Sequence, residues 1–337
     1  MKLIFLTFVT VMVTAFSSHA ASIDLTSYQE STGAILVAPG GDGVDPYFAT
    51  KALLIARDGG IDINSAGKKW IRWALAYQDK SGLFSRYCRA SAGVEWKVCA
   101  KADADDALLA LWIRLLYALA PDSGMPVAWQ RSVDKAKAQL DLLYNEERGI
   151  YHISSELPVG LLMDNVEVYA AFRSISHDMK RLGHQKSASG MLTQARKLRE
   201  SIYHQFWDEN KKRFRITTQP REEDEFYPDH VAQLFPILYQ LPAAPYGEDK
   251  HYFQKWIRSY KDAWFEHIAK DYAWGLVAVT ATLLGDSNTA WCWQNKAEPF
   301  RHSRHWNVLE EAALQRVHLY LRKHKPTVSV ACMAATS

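Results

Sequence analysis

Beyond its first twenty residues the sequence has no apolar run long enough to cross a bilayer, which excludes a helical membrane protein from that point on. Neither charge sign is in excess. Lys and Arg total 40 against 37 Asp and Glu, a net charge of +3. The basic residues are scattered, which removes the footprint of nucleic-acid binding. Histidine is plentiful at 12, but there is no HExxH, His302 and His305 are the only close pair, and no Cys/His cluster has ligand spacing. No metal and no cofactor is therefore expected. No GxSxG elbow occurs. GGDG at Gly40 to Gly43 lacks the strand-to-helix setting of a phosphate loop and reads as a flexible entry segment. No linker-like stretch divides the chain, so one large domain is expected.

The opening MKLIFLTFVTVMVTAFSSHAAS has a basic residue at Lys2, an apolar core from Leu3 to Phe16, and small residues at Ser18 and Ala20. This predicts an export signal over residues 1–20, a domain over 21–325 and a tail over 326–337, with a periplasmic or secreted location and no membrane association once the signal is removed. The 4 cysteines are compatible with two disulfides in an oxidising compartment. A Cys88–Cys99 bridge would close a short loop and stabilise it by about 2 to 3 kcal/mol. Cys292 and Cys332 pair by elimination.

Strand-like segments are short and few, whereas helical periodicity is nearly continuous. It predicts helices over Pro46 to Arg57, Ala66 to Tyr77, Asp105 to Leu119, Val127 to Tyr144, Gly160 to Leu182, Ser187 to Trp207, Asp229 to Tyr239, Asp249 to His267, Tyr272 to Leu284, Ser287 to Lys296 and Trp306 to His324. Those beginning at Val127 and Ser187 carry a polar face. Those beginning at Asp105, Gly160 and Asp229 are apolar almost all round, as buried helices are. A loose repeat accompanies the alternation: AYQDKSGLFSRYC, LLYNEERGIYHIS and QFWDENKKRFRIT each run from an aromatic through a polar turn to another aromatic. The anchors Tyr77, Tyr144 and Trp207 lie 67 and 63 residues apart, the length of one helical hairpin with its connection. Loose hairpin repeats favour a closed double ring, an all-α (α/α)6 toroid, complete or slightly incomplete, over an open solenoid.

Carboxylates crowd the starts of the apolar helices: Asp103, Asp105 and Asp106 before LLALWIRLL, Asp164 and Glu167 in LMDNVEVYAAF, and Asp229 in FYPDHVAQLF. Each has a plain structural explanation, because Asp is a favoured N-cap and Asp164 with Glu167 has capping-box-like spacing. Capping does not explain why the inner helices share the feature. If their acidic ends meet, burial and like charge push one carboxyl pKa up and leave another ionised, the pair that glycoside hydrolysis requires. Asp106 and Asp164 lead this set, with Asp103, Glu167 and Asp229 beside them. Tyr169, Tyr227, Trp274 and Trp306 are candidate sugar platforms as well as ordinary core aromatics. Glu310 and Glu311 face either the pocket or solvent.

The stretches VDPYFATKALLIA, WIRWALAYQDKSGLFSRY, ADADDALLALW, LMDNVEVYAAF and DYAWGLVAVTATLLGD make the chain resemble the six-hairpin glycosidase superfamily of (α/α)6 toroids. The DAD string at Asp103 to Asp105 is similar to glycoside hydrolase family 8. Where that family carries its general-acid Glu near the N-terminus, this sequence has Asp45. The resemblance implies an exported carbohydrate-active protein, foremost a hydrolase of a poly- or oligosaccharide. Polysaccharide lyases, sugar epimerases and non-catalytic glycan-binding or export proteins share the shape. His230 and His177 are the acid/base candidates for a lyase or epimerase.

Overall fold

The computed structural model describes residues 21–242, 244–327 and Cys332. The expected signal at 1–20 lies outside the described residues, as does most of the tail. Every predicted helical segment but one is a single helix to within a few residues. The first six are α1 (Pro46–Asp58), α2 (Asn64–Tyr77), α3 (Asp105–Leu119), α4 (Val127–Leu142), α5 (Leu162–Arg181) and α6 (Gln185–Phe206). The rest are α7 (Phe235–Leu238), α8 (Asp249–Lys270), α9 (Gly275–Leu283), α10 (Ser287–Ala297) and α11 (Val308–Lys323).

Odd-numbered helices form the inner ring. α1 packs on α3, α3 on α5, α5 on α7, α7 on α9 and α9 on α11, and α11 returns to α1, closing the circle. Burial follows from composition. α3 is buried without interruption from Asp106 to Tyr117, because apolar residues occupy nearly every face. α6 buries only Ala188, Ala195, Leu198, Ile202 and Phe206, one stripe at helical spacing, and leaves its charged residues in water. The even-numbered helices make the outer ring. Residues 21–42 take the place of a sixth outer helix, tying the seam through Ile23 N–H to Asp62 O (2.9 Å) and Val308 N–H to Val37 O (2.9 Å).

The exception is the segment predicted as a helix from Asp229 to Tyr239. It runs as a wide turn over Phe226–His230, a tighter 3-10 turn over Val231–Leu234, and then the single turn of α7. Pro236 lacks an N–H to donate and is tolerated only at a helix start, so the α-helical turn begins beside it.

The sequence repeat corresponds to the connections leading into inner helices. In two copies the aromatic begins a short hairpin: β4 (Tyr144–Asn145) with β5 (Ile150–Tyr151), and β6 (Trp207–Asp208) with β7 (Arg213–Phe214). They follow a sheet of β1 (Gly43–Val44), β2 (Ser85–Cys88) and β3 (Lys97–Lys101). The polar residue after each anchor ties its turn. Asp79 accepts from the N–H groups of Gly82 (2.7 Å) and Leu83 (3.0 Å), Asn145 from Arg148 (2.8 Å), and Asp208 from Asn210 and Lys211 (3.1 Å each).

Cys88 and Cys99 are bonded across the β2–β3 hairpin, with Cα atoms 5.6 Å apart, and Cys292 with Cys332 pins the tail to α10 at 5.3 Å. Among the described residues no helix is long and apolar enough to cross a membrane.

Candidate active site

All six inner elements run in the same sense, so their N-terminal ends share one rim. A cavity of about 250 Å³ opens there, and each inner element, or the residues just before it, contributes to its wall. Asp45, Tyr47 and Lys51 come from α1, Asp103 from the entry to α3, Asp164 from α5, Tyr227 from the turn before α7, Asp271, Tyr272 and Trp274 from the entry to α9, and Asn307 and Glu310 from α11.

Ordinary capping does not explain the leading acids. The N-caps of α3 and α5 are Ala104 and Leu161, and neither has a side-chain cap bond. True caps occur on neighbouring helices: Asp45 accepts from Tyr47 N–H (2.9 Å), and Asn307 from Leu309 (2.9 Å) and Glu310 (3.0 Å). Asp106 and Asp164 each keep one carboxyl oxygen buried without a partner.

Burial, more than any neighbouring charge, sets their protonation. Asp164 is pushed up to about 7, first by burial and then by Glu167, with Lys51 opposing. Burial, followed by the charge of Asp164, drives Asp106 well above the usual carboxylate range. Burial likewise raises Glu310 to about 7, although the N–H of Gly275 (2.7 Å) favours its anion. Gly275 is required for that approach, since a Cβ there would stand 2.8 Å from Glu310 Oε2 and 2.7 Å from the Ala313 Cβ. The positive ends of the helices favour ionisation, yet for these three carboxyls desolvation outweighs that effect.

The expected residues divide by depth. Asp164 and Asp103 line the cavity; Asp103 is exposed over 75% of its side chain and paired with Arg86, which also holds Asp45 at 2.7 Å. Asp106 lies fully buried behind the wall. Glu167 forms the floor, bonded to Lys51 (2.6 Å) and to the hydroxyls of Tyr47 (2.9 Å) and Tyr239 (2.8 Å). Asp229 turns away and binds Arg221 (3.2 Å) and the Glu225 N–H (3.1 Å), closing its own loop.

Of the four aromatics, Tyr227 and Trp274 line the cavity, their rings stacked with centroids 4.4 Å apart. Tyr227 is 46% exposed, and the Trp274 indole N–H is buried without a partner. Tyr169 and Trp306 do not reach it. Tyr169 lies two turns along α5, where only the core and the far end of the ring are within reach, and Trp306 is buried against Trp293 and donates to Glu311 (3.2 Å).

Sequence reasoning missed Lys51, Tyr47, Arg86, Tyr272 and Asp271, and noted Asp45 only as a departure from a family pattern. Asp271 carried a readable signal, an acid just ahead of an apolar helix. Lys51 carried none, because a lysine within a helical pattern reads as surface. Glu310 faces the cavity, whereas Glu311 turns away to Arg301 (2.6 Å).

No family model matches the chain, and no curated protein matches it. Solved structures match over nearly its whole length. An α-amylase from Clostridium perfringens superposes with a TM-score of 0.54 at 11% identity, covering 88% of this chain and 94% of that one. A family 8 endoglucanase from Klebsiella pneumoniae gives 0.51 at 14%, covering 89% and 97%. A D-mannose isomerase gives 0.51 at 9%, covering 88% and 94%. The chain thus has the (α/α)6 toroid fold of six-hairpin glycosidase-like enzymes.

Proposed function

We propose that the protein is an exported glycoside hydrolase acting on a poly- or oligosaccharide at the N-terminal rim of the inner ring. The observation that carries this reading is the meeting of five carboxyl groups, Asp45, Asp103, Asp164, Asp271 and Glu310, in one cavity with a stacked tyrosine and tryptophan at its side. Asp164, raised to about 7, holds a proton over much of the neutral range and faces the cavity, as a general acid must. Asp103 presents its carboxylate to water at the mouth and takes the proton of the attacking water, while Arg86 orients it. Direct attack by that water inverts the anomeric centre. Tyr227 and Trp274 line the cavity and offer ring surface to the sugar.

A lyase or epimerase fits less well. Those reactions take a proton with a histidine or a tyrosine. Among the described residues no histidine lines the cavity, and burial pushes the hydroxyls of Tyr47, Tyr227 and Tyr272 up, away from the ionised form a base needs. His230 stacks on Tyr260 at 3.9 Å beside a separate groove, and His177 lies at the opposite end of the ring. The test is turnover on a panel of oligosaccharides, with the anomer of the first product read by proton NMR. Release of a reducing sugar with inversion supports the proposal. Unsaturated products, epimerisation, or sugar binding without turnover would replace it.

A further inference from the structure

The far end of the inner ring carries a second cavity, of about 360 Å³, separated from the first by Lys51, Glu167 and Tyr239. It lies among the C-terminal halves of the inner elements, and its wall holds Arg57, Arg114, Arg173 and Arg316 against the carboxylates of Asp58 and Asp178. Asp178 pairs with Arg57 and, outward, with Arg181, each at 3.5 Å, so two carboxylates stand against the four guanidiniums of the wall and one of the two is shared with a fifth.

Two of these guanidiniums are deeply buried: the Arg114 side chain is 5% exposed, and Arg316 is 7% exposed. Asp58 bonds Arg114 directly, at 2.5 and 2.7 Å, and acts on Arg316 through its charge. The Arg114 Nε–H has no partner. Capping of helix ends accounts for part of the arrangement: Arg316 donates to Ile55 O (3.2 Å) and Arg173 to Gln240 O (2.9 Å). Each such bond uses one of five N–H groups on a guanidinium. An arginine cannot relieve burial by losing its proton, so an uncompensated charge remains in the wall. The adjoining groove, which shares Arg173, adds Arg196 and also Arg199, which is paired with Glu200 at 3.2 Å.

We propose that this cavity is a binding site for a compact oxyanion of the phosphate type, either the free anion or a phosphoryl group carried on a sugar. Guanidinium forks match the spacing of phosphoryl oxygens and give paired, charge-assisted hydrogen bonds. The site is distinct from the acidic cavity and independent of the hydrolytic reading.

The test is calorimetric titration of the full chain with inorganic phosphate and with glucose 6-phosphate, alongside thermal unfolding in phosphate and in chloride at equal ionic strength. A saturable heat and a saturable rise in Tm are expected for the wild type. Arg57 and Arg173 stand toward the cavity edge, so the R57Q/R173Q variant should fold and bind at least tenfold more weakly. R316M, which removes a buried charge, should do the same. Tighter binding of glucose 6-phosphate assigns the ligand to a phosphorylated saccharide, and equal or weaker binding assigns it to the free anion. Absence of a saturable heat, or an equal phosphate response in the wild type and R57Q/R173Q, overturns the proposal. The latter result would reveal only the general stabilisation that phosphate salts give.

Discussion

The two ends of the inner ring are opposite in charge and differ in how they respond to burial. At the N-terminal end, carboxyl groups sit where the helix dipoles favour anions; at the C-terminal end, arginines sit where the dipoles favour cations. Desolvation penalises charge at both ends. A carboxyl can answer by keeping its proton, and Asp164 and Glu310, both raised to about 7, do so. A guanidinium has no such recourse. The same physical pressure therefore makes proton donors at one end and a standing demand for an anion at the other.

The sharpest way to break this comparison is kinetic. Asp164→Asn keeps the shape but has no proton to give, and should lower kcat by about 10²- to 10⁴-fold. Arg173→Gln at the other end should leave kcat unchanged. Initial rates on the substrate found by panel screening decide it, and equal losses in both would show that the ends do not have separate duties.

The layer between the cavities is tested next. Lys51→Met leaves Glu167 buried with its two tyrosine hydroxyls but no cation, and should cost about 3–5 kcal/mol in denaturant unfolding. Adding Glu167→Gln should recover much of that loss. No recovery would mean that the pair is not the source of the effect.

The pH dependence of stability tests the protonation argument itself. Asp164 and Glu310 have ordinary values of 3.8 and 4.5 and are raised to about 7 in the folded chain. Between those limits the folded state binds more protons than the unfolded one. Their contribution to stability should then be full below pH of about 4, fall as pH rises toward about 7, and level off above it, a change on the order of a few kcal/mol. Asp164→Asn should flatten its share of that slope, and an unaltered urea-unfolding profile from pH 4 to 8 would contradict the assignment. The smallest effect concerns the platform: Tyr227→Ala should raise KM about 2- to 10-fold, in line with the worth of one aromatic contact, while kcat is little changed.

The helices were legible because their signal is local. α3 reads as buried from its own composition, α6 as half-buried from one apolar stripe, and the hairpin repeat from Tyr77, Tyr144 and Trp207. The segment around α7 was misread, because an apolar pattern does not reveal where prolines divide a helix into turns of different pitch. In the cavity, the acids ahead of apolar helices were visible, but their depth was not. Asp103 and Asp106 lie within one turn of each other, yet one is open to water and the other is sealed behind the wall.

By itself the amino-acid order determined the length and layering of the helices outside the segment around α7, since periodicity depends on residues only a few positions apart. Tertiary structure alone decided that Lys51 answers Glu167, that Glu310 rather than Glu311 enters the cavity, and that arginines from four separate helices gather at the far end. Those pairings arise from closing a ring, which brings together groups that no local pattern relates.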